Sequence, residues 1–177
     1  MKYLVLFDSR EGQTRSIARR LAGCFTQDGH DATVLEISLL AKGWPVPPHD
    51  FVVVGASIHQ AHYSEALKKF LRQHEELLQA ERSAFFSVSL SEAGSPEKKS
   101  EARRYIDSLL KEIGWTPCAV ISLAGALRYR DYGFLKRWML KKVMEESGGE
   151  TDTSRNHEYT DWQQVETFAR KCEQLAA

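Results

Sequence analysis

The sequence predicts a doubly wound α/β domain built on five parallel strands, and three observations carry that expectation. Short apolar runs alternate with amphipathic stretches along most of the chain, the pattern of strand–helix–strand units. The runs at Tyr3 to Phe7 and Phe51 to Gly55 are nearly continuously apolar, as strands covered on both faces must be. A polar, hydroxyl-bearing loop, Ser9-Arg10-Glu11-Gly12-Gln13-Thr14, directly follows the first run and opens an amphipathic stretch. Ligands of α/β sheets gather at such strand C-termini.

Each element can be justified in order. Residues 2–7 form the first strand, and Ile17, Ala18, Leu21, Ala22 and Phe25 recur at helical spacing, predicting a helix over 13–28 that Gly29 closes. The second strand is Ala32 to Ile37. A proline-rich connection, Trp44-Pro45-Val46-Pro47-Pro48, leads to the third strand, Phe51 to Gly55, and Leu67, Phe70, Leu71 and Leu78 mark the next helix. Ala84 to Val88 is the fourth strand. Ser95-Pro96 reads as an N-cap with proline at the first helical position, and Ala102, Ile106, Leu109, Leu110 and Ile113 form that helix's buried face. The fifth strand is Ala119 to Leu123. Thr160-Asp161-Trp162-Gln163 has the spacing of a capping box, so the last helix opens there with Val165, Phe168, Ala169 and Cys172 inside.

The 177 residues suit one domain, 1–177, with a single substantial core. With 24 basic and 24 acidic residues the formal net charge is zero, which gives no case for a nucleic-acid partner. Cys24, Cys118 and Cys172 are isolated, so neither a disulfide framework nor a zinc site is supported and a reducing cytosol is the expected compartment. No metal is expected. The N-terminal apolar run is too short for a signal-peptide core, and no apolar stretch approaches the ~20 residues of a membrane span. The chain is expected not to be integral to a membrane, although it can sit on one.

Two segments point to function. In the first loop, the hydroxyls of Ser9 and Thr14 and the N–H groups of Arg10, Glu11, Gly12, Gln13 and Thr14 converge at a helix N-terminus, which favours an anion, most simply a phosphate. Neither the lysine of a P-loop nor the three glycines of a dinucleotide fingerprint is present. The second segment breaks the alternation: residues 125–158 insert after the fifth strand where a short connection would serve. Arg128, Arg130, Lys136, Arg137, Lys141 and Lys142 there stand against Asp131, Glu145 and Glu146, interleaved with Trp138, Met139, Leu140, Val143 and Met144. The apolar arc is broad and contains Lys142, which suits an interface with an anionic lipid surface or an amphiphilic ligand better than a packing helix.

Several motifs together resemble one family. They are Ser9-Arg10-Glu11-Gly12-Gln13-Thr14-Arg15, Val54-Gly55-Ala56-Ser57-Ile58 with Ala61-His62-Tyr63 after it, Ala124-Gly125-Ala126-Leu127-Arg128-Tyr129, and Ser147-Gly148-Gly149-Glu150-Thr151-Asp152-Thr153 followed by Tyr159-Thr160-Asp161-Trp162. The chain is similar to the bacterial menaquinone-dependent protoporphyrinogen IX dehydrogenases, flavodoxin-like FMN enzymes of haem synthesis. The first two motifs are shared by flavodoxins broadly, and the last two are far more specific. Glu11 stands where flavodoxins commonly carry threonine, so one hydroxyl ligand is missing.

The resemblance implies a flavodoxin-like sheet of order 2-1-3-4-5, with the insertion interrupting or following the fifth strand. It also implies FMN, with its phosphate on Ser9 to Thr14 and its ring between two further loops and the start of the insertion. Those ring contacts fall on Ala56, Ser57, Ile58 and His59, on Ser87, Val88, Ser89 and Leu90, and on Gly125 and Ala126, while His59 or Tyr63 would pack against the ring. His59 and His62 otherwise read as solvated loop histidines, three apart with no third metal ligand. The third loop, Ser87 to Gly94, holds no aromatic residue, and the chain lacks the acidity common in electron-carrying flavodoxins. An open ring face suits a bulky organic substrate. Leu127, Arg128, Tyr129, Arg130, Lys136, Arg137, Trp138 and Lys141 are expected to meet that substrate and the membrane. The implied partners are protoporphyrinogen IX, menaquinone or ubiquinone, and the inner face of the cell membrane. A flavodoxin-type electron carrier and an NAD(P)H:quinone reductase are the alternatives.

Overall fold

Strand β1 (Lys2–Asp8) occupies an interior position of the sheet because Leu4 and Leu6 face one side while Tyr3, Val5 and Phe7 face the other. The computed structural model describes residues 1–40, 43–75, 78, 82–127, 152 and 156–177. After β1 come α1 (Gln13–Gln27), β2 (Asp31–Glu36), β3 (Phe51–Ser57), α2 (Glu65–Gln73), β4 (Ser83–Ser89), α3 (Pro96–Ile113) and β5 (Ala119–Ala124). Two short strands, β6 (Ala126–Leu127) and β7 (His157–Glu158), precede the last helix, α4 (Trp162–Ala176). The five long strands are all parallel in the order 2-1-3-4-5, as expected.

Alternating side chains divide the core between the two faces of the sheet. Tyr3, Val5, Phe7, Val53, Phe86 and Leu123 pack with Ile17, Leu21 and Phe25 of α1 and with Val165, Phe168 and Cys172 of α4. Leu4, Leu6, Val52, Val54 and Phe85 pack with Leu67 and Leu71 of α2 and with Ile106, Leu109 and Ile113 of α3. The close approach of β3 to β4 depends on Gly55. A Cβ built there would lie 1.9 Å from Cζ of Phe86, its partner across the ladder.

The observed strands outrun their apolar cores. β1 takes in Asp8, β3 adds Ala56 and Ser57, and β4 adds Ser89, because the ladder pairs Asp8 with Ala56 and Ser89 with Ala124 whatever their side chains. Ile37 leaves the second strand and starts a single 3₁₀ turn, Ile37–Leu39. The last helix is also capped differently from the expectation. Asp161, not Thr160, is its N-cap, and Oδ1 accepts from the N–H groups of Gln163 and Gln164. Thr160 has another partner, described below. Among the described residues, no helix is long and apolar enough to cross a membrane.

Candidate functional site

The C-terminal ends of β1, β3, β4 and β5 open into one cleft, whose first wall is the loop before α1. Gly12 ends that loop at φ 88°, a left-handed conformation that makes glycine the fitting N-cap. Ser9 Oγ accepts the Gly12 N–H at 3.0 Å, so that donor is used locally and leaves the expected phosphate cradle. The serine hydroxyl keeps its own proton to donate. The first turn of α1 carries no acidic residue and no side-chain cap, which leaves its N–H groups directed at the cleft mouth. Arg10, Glu11, Gln13 and Thr14 line the cleft, while Ser9 faces an adjoining hollow that it shares with Asp8 and Ser64.

Ser57, Ile58 and His59 form the second wall, tied to the third loop by the Ile58 N–H, which donates to Val88 O at 2.9 Å. Beyond it, His59 and His62 exchange backbone bonds of 3.0 and 3.3 Å around Gln60 and Ala61, whose φ angles are 51° and 66°. This is a type I′ turn without the usual asparagine and glycine, at a cost of about 1 kcal/mol per residue. Strain of this kind concentrates at functional loops.

Three expected ring neighbours lie beneath the cleft instead. Ala56 and Ser87 are fully buried inside their strands, and the Ser87 hydroxyl is 2.8 Å from the Tyr63 hydroxyl. Tyr63 sits in the core, edge-on to Phe85 at 6.0 Å. Burial pushes its hydroxyl well above the ordinary phenol range, partly countered by the Ser87 bond. The reason is strand phase. The ladder continues through residues 56 and 87, so their side chains follow the sheet faces and not the loop.

Val88, Ser89 and Leu90 make the third wall, with Gly125 and Ala126 beside them. The Ser89 hydroxyl is buried with no hydrogen-bond partner among the described residues, an orphaned group beside a ligand space. Gly125 donates its N–H to Ser89 O at 3.0 Å, and a Cβ on it would come within 3.3 Å of Val88. Ala126 and Leu127 pair antiparallel with Glu158 and His157. Leu127, grouped by sequence with the surface bases, is fully buried there, so its side chain is part of the packing. Arg128, Tyr129, Arg130, Lys136, Arg137, Trp138 and Lys141 lie outside the described residues.

Two polar links escaped the sequence reading. Ser64, the N-cap of α2, donates to Asp8 at the end of β1, and Gln13 reaches Glu158 and Thr160. Both join residues far apart in the chain, and only the spacing of Ser64 before a helix was a visible signal.

The donor set fits a flavin nucleotide. An uncapped helix N-terminus suits its phosphate, the unsatisfied Ser89 hydroxyl suits a ring heteroatom, and Ile58, Val88 and Ala126 supply apolar contact. A cleft at the β1/β3 switch point of a 2-1-3-4-5 sheet defines a flavodoxin-type domain. Consistent with this, the flavodoxin domain family matches residues 4–154. Oxidised flavodoxin 1 from Bacillus cereus superposes with a TM-score of 0.59 at 15% identity, over 98% of both chains, a likeness of fold alone. The protoporphyrinogen IX dehydrogenase [quinone] of Escherichia coli strain K12 is 43% identical over 179 residues, covering 99% of this chain and 96% of that one. The enzyme of the same name from Leishmania major is 32% identical over 176 residues, covering 95% and 73%. The chain belongs to the quinone-linked protoporphyrinogen IX dehydrogenases.

Proposed function

We propose that this protein oxidises protoporphyrinogen IX to protoporphyrin IX, using FMN in the cleft and delivering the electrons to menaquinone or ubiquinone. The observation that carries this reading is the near full-length similarity to named dehydrogenases, which extends through the segment beyond β5. A bound flavin supplies two-electron acceptance from the substrate and donation to the quinone. Conversion of the substrate needs three such rounds, each removing two electrons and two protons and yielding one quinol.

The chain's own groups bind and orient. The first-turn N–H groups of α1, with the Thr14 and Ser9 hydroxyls, hold the phosphate. Ser89 and the backbone of 57–59 and 88–90 hold the ring. The third loop carries no aromatic residue, leaving that ring face open to a tetrapyrrole. Arg128, Arg130, Lys136 and Arg137 offer cations to the propionates of the substrate and to anionic lipid, placing the protein peripherally on the inner membrane face.

The test is an anaerobic assay of the FMN-loaded protein with protoporphyrinogen IX and a menaquinone analogue. Porphyrin fluorescence should rise well above the autoxidation control. Rapid nicotinamide-dependent reduction without porphyrin formation would instead make the protein an NAD(P)H:quinone reductase.

A further inference from the structure

The cleft does not end at its second wall. Arg10, Ser57 and His59 line both the cleft and an adjoining hollow of about 490 Å³. Ser38 and Ala66 line both that hollow and a further one of about 200 Å³. Cleft, middle hollow and end hollow therefore form one trench, which runs past the first turn of α2 to the 3₁₀ turn after β2.

The chemistry of the trench changes along its length. In the middle hollow, Arg10 and the Ser57 hydroxyl offer donors, while Asp8 and Glu65 place two carboxylates beside them. A dicarboxylate is disfavoured there, whereas a neutral head group with carbonyl acceptors is not. The hollow has the size of a small-molecule site. The end hollow is walled by Ile37, Leu40, Trp44 and Phe70. His74 lies against Phe70 with ring centroids 4.5 Å apart, and burial lowers its pKa, which keeps that wall uncharged. Lys69 lines it too, and its aliphatic stem serves apolar contact while the ammonium reaches water. At the outer end stands Leu39, 79% exposed and the most exposed large apolar side chain among the described residues. With Trp44 it gives the trench an apolar rim of the kind that meets a membrane surface.

We propose that this trench binds a prenylated quinone, with the dione ring in the middle hollow and the first part of the isoprenoid chain in the end hollow. The ligand is amphiphilic in the same order as the trench, and it is neutral, as Asp8 and Glu65 require. Its ring then stands behind the Arg10–Ser57–His59 wall that borders the cofactor. The tetrapyrrole, a dicarboxylate, is left the opposite flank of the cleft beside the third loop, so the two substrates are held at once. The assignment rests on the dehydrogenase reading for the quinone as electron acceptor.

The experiment titrates the FMN-loaded full chain by calorimetry with two quinones: menadione, which has no tail, and a short-prenyl menaquinone analogue. Wild type should bind the prenylated quinone at least about tenfold more tightly. Ala66→Glu sets a charge at the neck between the two hollows, at an exposed first-turn position of α2 where an acidic residue suits the helix. It should abolish the advantage of the tail, and so should Leu40→Ser. Leu175→Ser, at an exposed apolar residue of α4 on the other face of the sheet, should preserve it. Saturating protoporphyrin IX should leave the Kd of the prenylated quinone within about twofold.

Equal affinity of wild type for the two quinones, or a tail advantage that survives both trench variants, would overturn the proposal. So would displacement of the quinone by porphyrin, which would put both ligands on the open ring face. Protein that binds both ligands as expected but forms no porphyrin would reject the dehydrogenase reading and leave the trench standing. Active protein with no dependence on the tail would do the reverse.

Discussion

Gly55→Ala should be far more damaging than a single methyl suggests. The added Cβ would stand 1.9 Å from Cζ of Phe86 and 2.3 and 2.4 Å from its two Cε atoms, distances that real carbon atoms do not adopt. Phe86 cannot yield easily, since it is fully buried in the cluster with Val5, Phe7, Val53 and Phe168. Relief requires the ring to leave its rotamer or β3 to part from β4, and overpacking of this kind costs about 1–3 kcal/mol. Phe86→Leu alone should be destabilising through the space it leaves, by less than the ~3–5 kcal/mol of a full Phe→Ala truncation. Together the two changes should partly cancel, because the smaller side chain vacates the volume that the new methyl needs. Urea unfolding of wild type, both single variants and the double variant gives the interaction energy directly. We expect the double variant to be at least about 1 kcal/mol more stable than the sum of the single effects implies. Strict additivity, or a Gly55→Ala protein as stable as wild type, would refute the packing argument. Because Ala56 to His59 follow directly, Gly55→Ala should also weaken flavin retention.

Other outcomes follow from burial, capping and charge. Burial pushes the Cys172 thiol from 9.0 to about 12, so the folded protein resists its ionisation. Its contribution is fully present below about pH 9 and is lost as pH rises toward 12, reaching about 1.4 kcal/mol at one unit above the unfolded value. Cys172→Val should flatten that part of the alkaline stability profile measured by denaturant titration; an unchanged slope would contradict the assignment. Asp161→Ala removes the acceptor for the Gln163 and Gln164 N–H groups and should cost about 1 kcal/mol, whereas Asp161→Asn should cost much less. Thermal melts of the two variants check this. Replacing Arg128, Arg130, Lys136 and Arg137 together with Gln should reduce co-sedimentation with anionic vesicles by at least tenfold while the flavin stays bound, at ~1 kcal/mol per base near the surface. Unchanged sedimentation would remove the membrane role.

The architecture was legible in the sequence because the strands of a sheet covered on both sides are almost uniformly apolar, and Phe51-Val52-Val53-Val54 admits little else. The first loop was legible because Gly12 and the hydroxyl residues mark a strand-to-helix turn. Side-chain direction at the strand ends was less accessible. Ending β3 at Gly55 frees Ala56 for the loop; the observed continuation to Ser57 returns it to the core face shared by Val52 and Val54. Ser87 lies within the expected fourth strand, and strand alternation turns its hydroxyl inward to Tyr63. The turn at Gln60-Ala61 carries no turn-forming residue, so only its backbone angles reveal it. The Gln13–Thr160 bond joins residues 147 positions apart, and nothing in either neighbourhood names the other. Thr160 has the spacing of a helix cap, but its hydroxyl is committed to Gln13 and Ala124, which leaves the capping to Asp161.

The central claim is that a flavin in the cleft takes electrons from protoporphyrinogen IX. The most direct measurement is an anaerobic stopped-flow mix of FMN-loaded protein with protoporphyrinogen IX and no quinone, following flavin absorbance and porphyrin fluorescence together. The account predicts bleaching of about three flavins for each porphyrin formed, and return of the absorbance when a menaquinone analogue is added. Flavin that stays oxidised while porphyrin appears only at the rate of the protein-free control would contradict it.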